Sequence, residues 1–249
     1  MSEYGREIRK AFVADKGFML VAADYSQIEL RVAAHLADDA KMIAAFRAGA
    51  DIHRMTAAAI NKVLPADVTP DMRRAAKTLN FGVLYGMGPV AFAEGTGFSR
   101  DEAKQFIENY FREFAGIARY IAATKERVRE TGYAETLFGR RRYIPEINST
   151  NWQLVREAER MAVNMPIQGT AADLVKLAMI AVNKWIRAQG LGDEVRMLLQ
   201  VHDELVFEVR ESAVARAVQE IKRIMEGAAS LAVPLVVEAH TGRNWGEAK

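Results

Sequence analysis

The apolar positions change period several times along the chain. Phe18 to Ala23 is a short unbroken apolar run ending at Asp24 and reads as a buried strand. Ser26 then opens a helix reaching about Ala37. From about Asp39 to Tyr133 the apolar residues recur at helical spacing, in segments broken at Gly49, Pro65, Gly86 to Pro89, Gly95 to Gly97, Gly116 and Gly132. Tyr133 to Ile147 reads as a short irregular or hairpin segment. A long helix follows from about Asn151 to Ala188, interrupted and kinked at Pro166. Val195 to Val201 and Leu205 to Val209 read as two strands joined by a tight turn at His202-Asp203. A helix from about Ser212 to Ala229 and a last strand at Leu235 to Glu238 complete the chain. Strands at both ends with helices between predict an α+β fold, an antiparallel sheet domain interrupted by an inserted helical one.

One predicted helix carries more than a core face. Thr69-Pro70-Asp71-Met72 has a capping hydroxyl, a proline at the first turn and an acid near the positive end of the dipole. Gly86, Gly88 and Pro89 end it. At about 100° per residue, Met72, Ala75, Ala76, Leu79 and Val83 fall on one side. Arg73, Lys77, Phe81 and Tyr85 wind across the other. At a rise of about 1.5 Å per residue this stripe is roughly 18 Å long, enough to hold phosphates at its cationic end and stack a base at its aromatic end.

Composition narrows the partners. With 249 residues and 50% hydrophobic content the chain can bury a substantial core. Its longest apolar runs, such as Phe18 to Ala23 and Leu231 to Val237, are too short to cross a bilayer, and the Met1-Ser2-Glu3-Tyr4 start lacks a signal-peptide pattern. No membrane partner is expected. The absence of cysteine excludes disulfides and thiolate zinc sites, fits a cytoplasmic protein, and directs any catalytic metal to oxygen ligands. A net charge of +2 is only mildly basic, so a polyanion would have to be met by clusters such as Gly139-Arg140-Arg141-Arg142.

Asp24 and Asp203 each end or turn a strand with apolar flanks, and a shared antiparallel sheet could bring them to one edge. Two carboxylates there would suit Mg²⁺, which favours carboxylate oxygens plus substrate phosphates. Alone, a helix-entry residue and a turn former explain them as well; combined with the stripe they read as a metal site. Ser26-Gln27-Ile28-Glu29 fits a capping box. Arg160, Asn164 and Gln168 repeat at four-residue spacing, which gives either a solvated helix face or donors for the minor groove, where every base pair presents acceptors.

The run from Arg73 to Gly86 resembles the fingers helix of family A DNA polymerases, in which Arg, Lys, Phe and Tyr-Gly recur every four residues. Asp24-Tyr25-Ser26-Gln27-Ile28-Glu29-Leu30-Arg31 upstream and Val201-His202-Asp203-Glu204 downstream resemble two further motifs of that family, in the same order. The resemblance covers nearly the whole chain and implies a palm at residues 1–38 and 150–249 with fingers at 39–149. It implies catalytic roles for Asp24, Asp203, Lys77 and Glu204, with two Mg²⁺ ions held by Asp24, Asp203 and the carbonyl of Tyr25. It further implies that Arg73, Lys77, Phe81, Tyr85, Glu29, Gln27 and His53 meet the incoming deoxynucleoside triphosphate, Glu29 acting as a gate against a ribose 2′-hydroxyl; for Gln27 and His53 an ordinary exposed polar role stays open. Arg160, Asn164, Gln168, His202, Arg140 and Arg141 would contact primer-template DNA. In the family a thumb and an exonuclease-like domain precede the palm, whose beginning Glu3 to Glu7 already resembles, so no thumb is expected in this chain. A catalytically idle nucleic-acid-binding fragment and a phage-type RNA polymerase are the rival readings.

Overall fold

The computed structural model describes residues 3–248; Met1 and Ser2, part of the expected start, lie outside the described residues, as does Lys249. In chain order the elements are α1 (Glu3–Lys10), β1 (Phe18–Tyr25), α2 (Ile28–Leu36), α3 (Ala40–Arg47), α4 (Ile52–Asn61), α5 (Pro70–Leu84), α6 (Pro89–Thr96), α7 (Arg100–Glu113), α8 (Ala115–Thr131), β2 (Tyr133–Glu135), β3 (Arg141–Tyr143), α9 (Trp152–Ala188), β4 (Val195–Val201), β5 (Glu204–Arg210), α10 (Val214–Glu226) and β6 (Val237–Gly242). The chain divides into two compact units, Met1–Ile28 with Ala171–Lys249, and Glu29–Thr170.

The first unit is built on a four-stranded sheet of order β4-β5-β1-β6, antiparallel throughout. β1 is central and covered on both faces, which is why its apolar run does not alternate. Leu20 and Ala22 pack with Val206, Trp245 and Ala248 on one face. Toward the other lies α10, whose Ala217, Ile221 and Met225 are buried at four-residue spacing. The Tyr25 hydroxyl donates to the Met225 carbonyl at 2.6 Å and fastens the end of β1 to that helix. The last strand differs from expectation, running Val237–Gly242 instead of Leu235 to Glu238. An edge strand needs apolar residues on fewer positions, so His240 and Thr241 pair with β1 although they interrupt the apolar pattern.

The second unit is helical apart from the β2–β3 hairpin, which pairs Tyr133 with Tyr143. Four of its helices begin on side-chain caps: Asp39 on α3, Asp51 on α4, Thr69 with Pro70 on α5, and a reciprocal Ser99/Glu102 box on α7. Its core includes one group of Ala57, Ala58, Val68 and Ala76 and another of Val128, Ala134, Ile144, Ile147, Ala158, Ala162 and Met165.

Three expected breaks move. α2 starts at Ile28 because Gln27 takes a left-handed φ of 56° and the Ser26 N–H donates to the Val236 carbonyl at 2.8 Å, so Ser26 does not form the capping box. Gly116 does not end a helix; it sits in the first turn of α8, and the break falls at Phe114. A Cβ at Gly116 would stand 2.8 Å from the Asp39 Cα, and its N–H donates to Asp39 Oδ2 at 2.9 Å, so glycine is there for close approach. Pro166 does not interrupt α9, which is assigned as helix without a gap from Trp152 to Ala188. By length and composition alone this helix could cross a bilayer, contrary to the expectation from apolar runs, but 56% of its apolar window is buried inside the protein, as in a core helix.

Candidate nucleotide and metal site

In the sheet unit, register places acids side by side. Asp24 on β1 pairs with Glu204 on β5 and with Glu238 on β6, and the Tyr25 N–H donates to the Asp203 carbonyl at 3.3 Å. Directly paired residues project to the same side with Cβ atoms about 5 Å apart, so three carboxylates stand abreast at this end of the sheet with Asp203 one position beyond. Both expected metal-binding aspartates are half-buried.

Glu204 is differently placed from the other acids. It is buried, its Oε1 accepts from the Trp245 indole at 2.7 Å, and the Arg9 guanidinium lies 3.6 Å away and 4.0 Å over the Trp245 ring. Its charge is already met within the fold. Four described non-glycine residues have a left-handed φ, Gln27, Asp38, Lys62 and His202. Gln27 and His202 lie beside the two aspartates in sequence, and such strain gathers at functional sites. His202 is exposed in the β4–β5 turn, while the Gln27 Oε1 is buried without a hydrogen-bond partner among the described residues.

Among the described residues no three side chains of metal-binding type converge. Mg²⁺ does not require them, since it is commonly held by one or two carboxylates completed by substrate phosphates and water. Two half-buried aspartates, a strand-end carbonyl and no sulfur therefore fit that ion.

In the helical unit, α5 presents the stripe as the periodicity predicted. Ala75, Ala76, Leu79 and Val83 are buried, Lys77 is exposed, and Arg73 and Phe81 are half-buried. Asp51 holds Arg73 in place: its Oδ1 caps α4 by accepting from the N–H groups of His53 and Arg54, and its Oδ2 accepts from Arg73 Nε at 2.7 Å. Burial pushes the Asp51 carboxyl up, yet the bond and charge of Arg73 win and hold it below the usual carboxylate range. His53 is not an exposed polar residue. It is 1% exposed, its ring lies 5.8 Å from that of Phe81, and its Nδ1 is 2.9 Å from Asn80 Nδ2. Tyr85 sits at the C-cap of α5, and its hydroxyl donates to the Glu29 carboxylate in a short hydrogen bond.

The expected duplex contacts divide. Arg160 and Gln168 are exposed on α9, while Asn164 is half-buried with Oδ1 lacking a partner among the described residues. The Arg160 stem packs against Gly86, where a Cβ would come within 2.7 Å of its Cγ, and both line a cleft of about 550 Å³ with Trp152 and Arg156. Arg140 donates to the Gly169 carbonyl at 2.9 Å and so anchors its hairpin to α9. Arg141 pairs with Glu135 and stacks 4.5 Å from Tyr133.

Sequence reasoning missed Asp51, Asn80 and the Arg9–Trp245 pair. Asp51 was detectable as an N-cap before an apolar run, and Asn80 as a polar residue on the core side of α5 between Ala76 and Val83. Arg9 and Trp245 carry no local signal.

A four-stranded antiparallel sheet with acids at one end of its central strand, joined to a helical unit bearing a cationic and aromatic stripe, defines the nucleic-acid polymerase class. The chain belongs to DNA polymerase family A, whose signature matches residues 1–247. It is 52% identical over 244 residues to DNA polymerase I of Pseudomonas aeruginosa, covering 98% of this chain and 26% of that protein. It is 51% identical over 248 residues to the thermostable DNA polymerase I of Thermus aquaticus, covering 98% of this chain and 29% of that one. The chain thus spans between a quarter and a third of the length of these relatives. A solved structure of the POL domain of Pol1 from M. smegmatis, in complex with DNA primer-template and dNTP, superposes with a TM-score of 0.94 at 44% identity, covering 99% of this chain and 43% of that one.

Proposed function

We propose that this chain carries template-directed nucleotidyl transfer from deoxynucleoside triphosphates to a primer 3′-hydroxyl, with residues 1–38 and 150–249 as palm and 39–149 as fingers. The observation that carries the reading is the stripe on α5, in which Arg73 is oriented by Asp51, Lys77 stands exposed one turn on, and Phe81 lies beside His53. Two cations about 6 Å apart along the helix match adjacent phosphates, and an aromatic one turn further suits the sugar and base.

In this reading Arg73, Lys77 and His53 hold the triphosphate and meet the charge that develops on departing pyrophosphate. Phe81 faces the sugar, Tyr85 the base, Glu29 the 2′ position, and Gln27 lies near the triphosphate. The primer 3′-oxygen forms a bond to the α-phosphorus as the α–β bridging bond breaks. Asp24, Asp203 and the Tyr25 carbonyl would hold two Mg²⁺ ions, which when bound favour ionisation of the attacking hydroxyl and stabilise the leaving oxygen. Arg160, Asn164 and Gln168 offer donors to the minor groove, where purine N3 and pyrimidine O2 accept from any correctly shaped pair. His202 serves the primer terminus. Arg140 and Arg141 serve backbone phosphates, Arg141 by exchanging Glu135 for phosphate. Glu204 supports the site through Arg9 and Trp245.

Primer extension with four deoxynucleotides and Mg²⁺ tests the proposal. The unsubstituted chain should extend, and Asp24→Asn or Asp203→Asn should abolish extension with circular dichroism unchanged. Near-normal extension by either variant would sink the metal assignment, and binding of primer-template without extension by the parent would favour the idle binding fragment.

A further inference from the structure

Behind the stripe lie three polar side chains that are almost wholly buried, Thr56, Asn80 and His53, each at most 1% exposed. Thr56 Oγ1 is 3.1 Å from Asn80 Oδ1 and 2.8 Å from the Ile52 carbonyl, and Asn80 Nδ2 is 2.9 Å from His53 Nδ1. The hydroxyl has one proton to donate. Ile52 lies one turn earlier in α4, where the helix already supplies its carbonyl with a backbone N–H. Asn80 Oδ1, without the hydroxyl proton, would face only lone pairs. The proton therefore goes to Asn80, the amide N–H goes to His53 Nδ1, and the neutral imidazole carries its hydrogen on Nε2. That Nε2 is buried and has no hydrogen-bond partner among the described residues. A buried donor left open calls for a partner from outside the fold.

Resting on the reading of the stripe as a triphosphate site, we propose that Asn80, backed by Thr56, is a positioning residue that fixes His53 as the Nε2–H tautomer, a neutral donor for a phosphate oxygen beside Arg73 and Lys77. The opposite amide orientation would move the proton to Nδ1 and turn a bare Nε2 lone pair toward the oxyanion. The charged groups acting on the ring agree with a neutral donor: burial, aided by Arg73 and Lys77 and opposed by Asp51, pushes the His53 pKa down to about 4. The site thus gains a hydrogen bond without a third positive charge that would have to be desolvated together with Arg73 and Lys77.

Nitrogen-15 NMR on the full chain reads the tautomer directly, because there are only four histidines and His53→Gln assigns the signal. Without ligand, His53 should show a protonated Nε2 and an unprotonated Nδ1; the reverse would overturn the proposal with no variant needed. In Asn80→Asp the carboxylate can only accept, so the proton should transfer to Nδ1 while the other three imidazole signals, unmoved, report an intact fold. Incorporation efficiency should then fall about 10- to 100-fold, the range for a hydrogen bond to a charged group. In a His53→Ala background the same change should cost no more than about twofold. An equal loss in both backgrounds would mean that Asn80 acts through packing and overturn the inference. Addition of dATP with Mg²⁺ should shift the His53 nitrogens. The expected tautomer with no such shift would overturn the triphosphate reading itself, and with it the phosphate-donor role, while the tautomer assignment stood.

Discussion

If Glu29 gates the nucleotide sugar as proposed, its hydrogen bond from Tyr85 makes that selection depend on two residues rather than one. Glu29 lies on α2 and is half-buried, and the hydroxyl of Tyr85 at the end of α5 donates to its carboxylate. A hydrogen bond to a charged acceptor contributes about 1.5–3 kcal/mol, of which the lower end applies to a half-exposed pair screened by solvent. Forcing a 2′-hydroxyl against a fixed carboxylate resembles overpacking, at about 1–3 kcal/mol, or roughly 5- to 150-fold in relative efficiency. Glu29→Ala should therefore raise the ratio of ribonucleotide to deoxynucleotide incorporation by that range. Tyr85→Phe keeps the ring but frees the carboxylate to swing, and should raise the ratio by about tenfold at most, the lower bound of the bond. In the double variant the tether has nothing to hold, so the ratio should match Glu29→Ala alone, a coupling that a mutant cycle isolates. Single-nucleotide incorporation with each triphosphate measures all four ratios. If Tyr85→Phe keeps its full effect in the Glu29→Ala background, the bond does not set the gate; if Glu29→Ala leaves the ratio unchanged, Glu29 is no gate.

Other predictions follow from the packing. Gly116→Ala drives a Cβ to 2.8 Å from the Asp39 backbone, and the overpacking cost of about 1–3 kcal/mol should exceed the gain in helix propensity of about 1 kcal/mol; a urea midpoint that rises instead refutes the close-approach account. Glu204→Gln keeps an acceptor for Trp245 but strands the Arg9 charge, so stability should fall by about 3 kcal/mol while extension at low temperature stays near that of the parent; loss of extension comparable to Asp203→Asn would make Glu204 a metal ligand. Phe81→Tyr places a hydroxyl where a missing 3′-hydroxyl leaves a gap, and should relax discrimination against dideoxynucleotides in a termination assay; unchanged discrimination would mean that Phe81 does not face the sugar.

What was legible in the sequence is what one element carries within itself. The stripe needs only the pitch of α5, and Thr69-Pro70 fixes where that pitch starts, so Arg73, Lys77 and Phe81 could be placed before any tertiary contact was known. β1 could be read for a similar reason, since burial on both faces leaves an apolar run that no helix of that length would show. The errors arise where a second segment decides the outcome. Gly116 reads as a breaker until Asp39 arrives from α3 to occupy the space of its missing Cβ. Ser26 and Glu29 match a capping box, but Val236 takes the Ser26 N–H and Tyr85 takes the Glu29 carboxylate. His240 and Thr241 look like loop residues until β1 pairs with them.

The same distinction explains why a motif assigns Glu204 and His53 without describing their surroundings. A motif records which residue types recur at a spacing; it does not record what neutralises them. Glu204 has the motif position of a catalytic acid, but Trp245 lies 41 residues away in the chain and Arg9 near its start, and together they satisfy a carboxylate whose charge would otherwise add to those of Asp24 and Glu238 in the paired row. With Glu204 ion-paired to Arg9, the motif acids left for a cation to meet are Asp24 and Asp203, with exposed Glu238 beside Asp24 in the paired row. His53 is the converse case. Its motif position suggests a surface contact, whereas burial against Asn80 and Phe81 makes it a neutral donor whose direction is set from within the fold. In both residues the chemistry follows from the partner that sequence separation hides, so a substitution at Arg9 should act on stability through Glu204, and one at Asn80 on nucleotide incorporation through His53.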